Sequence, residues 1–105
     1  MIEGAPLRLP ADALDNLFRI AQEAVTNARR HGRPKAIHVT LNIQPMTLRL
    51  DIQDDGVGLS RQTTQSTGMG IRIMQFRAAN IGARLSIRSG EHSGTLVSVE
   101  CPQPS

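Results

Sequence analysis

Two alternating runs of apolar and polar residues, separated by one short break, constrain the fold of this chain most. From Ala36 to Gln44, the side chains of Ile37, Val39, Leu41 and Ile43 alternate with those of His38, Thr40 and Asn42. From Met46 to Asp54 the same period runs through Met46, Leu48, Leu50 and Ile52. A period of two sends successive side chains to opposite faces, so each run reads as a half-buried strand. The break at Gln44-Pro45 makes the pair, most simply, an antiparallel hairpin.

Ahead of the hairpin the period changes. Leu14, Leu17, Phe18, Ala21, Val25 and Ala28 recur at spacings of three and four and form one apolar stripe. This predicts a helix from Asp12 to His31, stopped by Gly32 and Pro34. Glu23 and Asn27 are expected on the other side of that helix. Met1 to Pro10, with Gly4, Pro6 and Pro10, reads as an extended lead-in. After the hairpin, Asp55 to Gly70 is rich in glycine and hydroxyl residues and reads as a long loop. Ile71, Met74, Phe76, Ala78 and Ile81 predict a second helix ended by Gly82. Leu85 and Ile87 predict a third strand, Glu91 to Gly94 a turn, and Leu96, Val97 and Val99 a fourth strand. The tail Pro102-Gln103-Pro104-Ser105 reads as a frayed end. Strands in hairpin pairs, separated by helices, argue for an α+β two-layer sandwich: one mostly antiparallel sheet with helices on one face. At 105 residues this is one domain.

Composition narrows the function. The single cysteine, Cys101, excludes an internal disulfide and a multi-cysteine metal cluster, and it fits a reducing cytoplasm. No apolar run approaches the roughly 18 residues that cross a bilayer. The net charge of +3 is carried by dispersed basic residues. With no Trp or Tyr, and only Phe18 and Phe76, the chain lacks a base-stacking platform, so no nucleic-acid partner is expected.

Four local patterns carry chemistry. Glu23, Asn27 and His31 lie four residues apart, one above another on a helical stripe. A carboxylate and an amide oxygen one turn apart suit a hydrated Mg²⁺ shared with phosphates, and Arg30 and His31 could reach the same phosphates. Asp54-Asp55-Gly56-Val57-Gly58 follows a strand directly. Its glycines allow a sharp turn and close ligand approach, and Asp54 can accept a hydrogen bond from an exocyclic amine. Gly68-Met69-Gly70 opens a helix, whose N–H groups and macrodipole form an anion site. Gly94-Thr95 opens the last strand, where Thr95 could hydrogen-bond Asp54 or a water beneath a base. Each pattern alone is common; their order along the chain is specific.

In that order the chain resembles the GHKL superfamily of gyrase, chaperone, histidine kinase and mismatch-repair ATPases. The run from Phe18 to His31 looks like the N box of sensor histidine kinases that signal to NarL-type regulators. Asp54 to Gly58 looks like the G1 box, Gly68 to Met74 like the G2 box, and Gly94-Thr95 with Pro102 like the closing strand. The resemblance implies the Bergerat fold and the catalytic ATP-binding domain of a sensor histidine kinase. By this match Asn27 coordinates Mg²⁺, with Glu23 beside it as metal contact, water contact or base. Arg30 and His31 face phosphate or base. Asp54 reads the adenine amine, Gly56 and Gly58 floor the base, and Gly68 and Gly70, with Met69 and Ile71 between and after them, bracket the phosphates under a lid from Ser60 to Thr67.

The resemblance also implies partners: ATP, a dimerisation domain bearing the phosphoacceptor histidine, and a NarL-type response regulator. The γ-phosphoryl of MgATP would pass to that histidine. The alternative is a serine-kinase anti-sigma factor using the same ATP site; its N box shares Glu and Asn but not the run from Arg19 to Ala24. Family members carry a strand before the first helix, and Met1 to Pro10 is short for one. The dimerisation helices that should precede this segment are absent from it, so residues 1–105 are expected to be an excised domain, monomeric alone, binding nucleotide with little turnover. Gln75-Phe76-Arg77 departs from the usual Arg-Glu-Arg run, which leaves the role of Arg77 open. His38 and His92 are expected to be surface residues.

Overall fold

The computed structural model describes residues 2–32, 36–56, 69–89 and 94–104; within these, the side chains of Ile2, Glu3 and His31 are not described. The elements in order are β1 (Ile2–Gly4), α1 (Ala11–Asn27), β2 (Ile37–Ile43), β3 (Thr47–Asp54), α2 (Met69–Asn80), β4 (Arg84–Ser89) and β5 (Thr95–Pro102). The five strands form one sheet in the order β1-β2-β3-β5-β4. The pair β1 and β2 is parallel; every other pair is antiparallel. The expected α+β sandwich and its first hairpin are both present, with the Gln44 N–H bonded to the Thr47 carbonyl at 2.7 Å.

The core lies between the sheet and the helices. β3 sends Leu48, Leu50 and Ile52 inward, β5 sends Val97, Val99 and Cys101, and they meet Leu17, Ile20 and Ala24 of α1 and Met74 and Ala78 of α2. Burial of each large side chain stabilises by about 1.5–3 kcal/mol. Burial also pushes the Cys101 thiol pKa upward, because the thiolate would lose its hydration.

The expectations need correction at four places. The lead-in is not merely extended: Ile2–Gly4 is a strand, parallel to β2, so the strand for which Met1 to Pro10 looked too short is formed. Its end is held by Gln103, which is buried rather than frayed. The Gln103 carboxamide donates to the carbonyls of Gln44 (2.7 Å) and Pro6 (3.4 Å) and accepts the Arg8 N–H (2.6 Å). Next, the buried face of α1 is Ala13, Leu17, Ile20, Ala24 and Ala28, and Phe18 stands 58% exposed. A residue turns about 100° from its neighbour, so Phe18 leaves the arc that Leu17 occupies, while the alanines let the helix approach closely. Third, Phe76 of α2 is 66% exposed, and Met74 and Ala78 take the core positions instead. Finally, α1 stops at Asn27 and continues as a π-helical turn, Ala28–Gly32, rather than as regular helix to His31. His38 is exposed, as expected; His92 lies outside the described residues.

Candidate functional site

The site forms where α1, α2 and the ends of β3 and β5 converge. On α1, Glu23 and Asn27 are both partly buried. They do not lie opposite the core face. Asn27 sits roughly 60° around the helix from Ala24, at the margin of that face.

α2 approaches this margin through Gly70. A Cβ placed there would lie 2.7 Å from Asn27 Oδ1, 2.8 Å from Asn27 Nδ2 and 2.9 Å from Glu23 Oε2. Those distances are shorter than real carbon contacts, so a side chain at position 70 would displace the ends of the Asn27 and Glu23 side chains from the first turn of α2. The first N–H groups of a helix have no intrahelical partner and carry its positive end. Glu23, Asn27 and an anion-seeking helix start are therefore one assembly. The carboxylate and amide oxygens reach the same point in space, and both are hard donors that suit Mg²⁺ with water and phosphate ligands. Among the described residues no group of three or more His, Cys, Asp or Glu is assembled.

Asp54 reaches the site by parity. On β3 it continues the inward set Leu48, Leu50, Ile52, and it is buried. Gln53 pairs with Leu96, so Asp54 and Thr95 are neighbours at the end of the ladder. Asp54 Oδ1 accepts the Gly56 N–H at 2.8 Å, which fixes the first turn after the strand. Thr95 contributes to the cavity wall and not to this bond. The cavity between these groups has a volume of about 30 Å³ and is lined by Asn27, Asp54, Ile71 and Thr95, with Ala24, Ala28, Ile52, Met74, Ile87 and Val97 as its apolar walls. That is room for an ordered water.

The structure thus brings together Glu23, Asn27 and Gly70 at one end, and Asp54, Gly56, Ile71 and Thr95 at the other. Arg30 and Met69 are exposed and do not line the cavity. Gly58, Gly68 and the Ser60 to Thr67 lid lie outside the described residues. Arg77, open in the sequence, donates to Asn16 Oδ1 at 3.3 Å and ties α2 to α1. A larger open groove, about 610 Å³, lies between the helices on the outer side and shares Glu23 with the site. The apolar walls Ile52, Val97 and Ile87 were missed as site residues, although the strand alternation that put Asp54 inward also points them there.

Residues 12–105 match the family described as histidine kinase-, DNA gyrase B- and HSP90-like ATPase. The chain belongs to this family. It is 36% identical over 88 residues to the sensor histidine kinase LiaS of Bacillus subtilis, covering 84% of this chain and 24% of that protein. It is 38% identical over 95 residues to the sensor protein VraS of Staphylococcus haemolyticus, covering 90% of this chain and 27% of that protein. The chain thus spans about a quarter of the length of these curated relatives. Among solved structures, the ATP binding domain of PrrB from Mycobacterium tuberculosis superposes with a TM-score of 0.76 at 20% identity, over 99% of this chain and 79% of that one. The histidine kinase domain of the blue-light activated kinase from Erythrobacter litoralis superposes at 0.72 and 24% identity, over 97% of this chain and 50% of that one. At such identities these likenesses concern the fold.

Proposed function

We propose that this chain is the ATP-binding catalytic domain of a two-component sensor histidine kinase. The observation that carries the reading is the packing of Gly70 against both Glu23 and Asn27, which joins a helix start to two oxygen donors. In this reading Asp54 accepts the exocyclic amine of adenine, and a water between Asp54 and Thr95 completes the contact. Ile52, Ile71, Met74 and Val97 cover the ring. The N–H groups of Met69, Gly70 and Ile71 at the start of α2 hold the phosphate chain, and Gly68, Arg30 and His31 are assigned to the same phosphates. Asn27 and Glu23 hold Mg²⁺. When bound, Mg²⁺ neutralises charge on the phosphates.

The reaction breaks the bond between the γ-phosphorus and its bridging oxygen, leaves ADP, and forms a phosphorus–nitrogen bond to a histidine on a separate dimerisation domain. The residues of this chain contribute position and electrostatics rather than covalent chemistry. A NarL-type response regulator is the proposed onward acceptor. No described helix is long and apolar enough to cross a membrane, and we place the domain on the cytoplasmic side, where ATP is available.

The test is calorimetric titration of ATP with and without Mg²⁺ into the wild type and Asn27→Ala. Wild type should bind more tightly with Mg²⁺, and the variant should lose that gain while keeping its Mg²⁺-free affinity. Equal binding by both proteins under both conditions would overturn the assignment of Asn27 and Glu23.

A further inference from the structure

Gly94 and Asp54 meet where β3 ends and β5 begins. Gly94 is buried and has φ of +79°, a conformation that L side chains rarely adopt. A Cβ placed there would collide with the Asp54 carbonyl oxygen and lie 2.6 Å from the carbonyl carbon and 2.8 Å from Oδ1. The same Oδ1 accepts the Gly56 N–H. That oxygen thus accepts one hydrogen bond and sits where a side chain at position 94 would have to go. Oδ2 has no hydrogen bond among the described residues. Gly82 makes the contrast. Its φ is +65°, yet a Cβ there would meet nothing within 4 Å.

We propose that Gly94 is a positioning residue for base selection. Without a Cβ, it lets Asp54 sit with Oδ1 against Gly56, which turns Oδ2, unpaired among the described residues, toward the base as the acceptor. Such an oxygen pairs with the amine of adenine and opposes the carbonyl that guanine carries at the same ring position. A side chain at position 94 would push Asp54 off this setting and blunt the discrimination. The proposal rests on the reading of the site around Asp54 as a nucleotide site.

The test compares ATP and GTP binding by calorimetry in wild type, Gly94→Ala, Gly94→Asn, Gly82→Ala, Asp54→Asn and the double variant Gly94→Ala with Asp54→Asn, with thermal unfolding of each. Asn tolerates positive φ better than Ala but still carries a Cβ, so the pair separates backbone strain from the collision. Both Gly94 variants should bind ATP at least about tenfold more weakly and lose most of the ATP over GTP preference. Gly82→Ala should keep both. In the double variant, Gly94→Ala should add little to the loss caused by Asp54→Asn, because it acts through that residue. Gly94 variants that melt earlier but keep affinity and preference would overturn the proposal. So would failure of both to fold while Gly82→Ala folds, which would make Gly94 a purely structural glycine. Absence of nucleotide binding in the folded wild type would instead overturn the underlying site reading.

Discussion

Gly70 stands so close to Asn27 that a methyl group on its Cα would come within 2.7 Å of the Asn27 amide oxygen, and within 2.9 Å of Glu23 Oε2. A glycine near the start of a helix is a thermodynamic cost, about 1 kcal/mol against alanine in a helix interior. Here the cost is offset by bringing the α2 start against two oxygen donors. Gly70→Ala should therefore separate stability from function. Thermal stability should hold or rise, because alanine favours the helix, while the Mg²⁺-dependent part of ATP affinity should fall about tenfold or more. Calorimetry with and without Mg²⁺ reads this directly; an unchanged Mg²⁺ effect would show that the close packing has no bearing on the cation.

The rotated face of α1 gives a second expectation. Leu17 and Phe18 are adjacent, yet Leu17 is buried and Phe18 is exposed. Leu17→Ala should cost about 2–5 kcal/mol. Phe18→Ala should stay within about 0.5 kcal/mol, as for an ordinary surface site. Urea unfolding of the two variants decides it, and equal losses would contradict the placement of the helix.

Gln103 gives a third. Its carboxamide joins the lead-in after β1, the Gln44 turn and the end of β5 through three hydrogen bonds. Gln103→Ala leaves the Arg8 N–H and two carbonyls without that partner, which should cost about 1–3 kcal/mol. For a domain of this size that corresponds to a fall in Tm of several degrees. A Tm unchanged within error would mean that water replaces the amide at no loss.

The buried thiol gives a fourth. Cys101 is held above its ordinary pKa by burial. A group raised in the folded state contributes its full stability below the unfolded pKa and loses it as pH rises. Unfolding free energy should therefore decline above about pH 9, where the thiol of the unfolded chain ionises. Cys101→Ser should flatten that decline, as measured by urea titration at a series of pH values.

Much of the architecture was legible because alternation is a local property. The inward set of β3 predicts where Leu48, Leu50 and Ile52 go, and the same parity delivers Asp54. The order of the four motifs was legible too, since each is a short run. What was not legible depends on three-dimensional choice. On α1 the apolar residues cover a wide arc, and only the contact with the sheet decides that Leu17 and Ile20 face in while Phe18 faces out. The strand Ile2–Gly4 is three residues long and has almost no pattern of its own; its pairing with β2 defines it. The contact of Gly94 with Asp54 joins residues forty positions apart, and no periodicity reports it.

In the proposed function, Asp54 reads a purine amine at the end of β3. The most direct measurement is calorimetric titration of ATP and GTP into wild type and Asp54→Asn, with thermal unfolding to show that both are folded. Wild type should prefer ATP, and the variant should lose about tenfold or more in ATP affinity with little change for GTP. ATP binding that is equally tight in both folded proteins would contradict the claim.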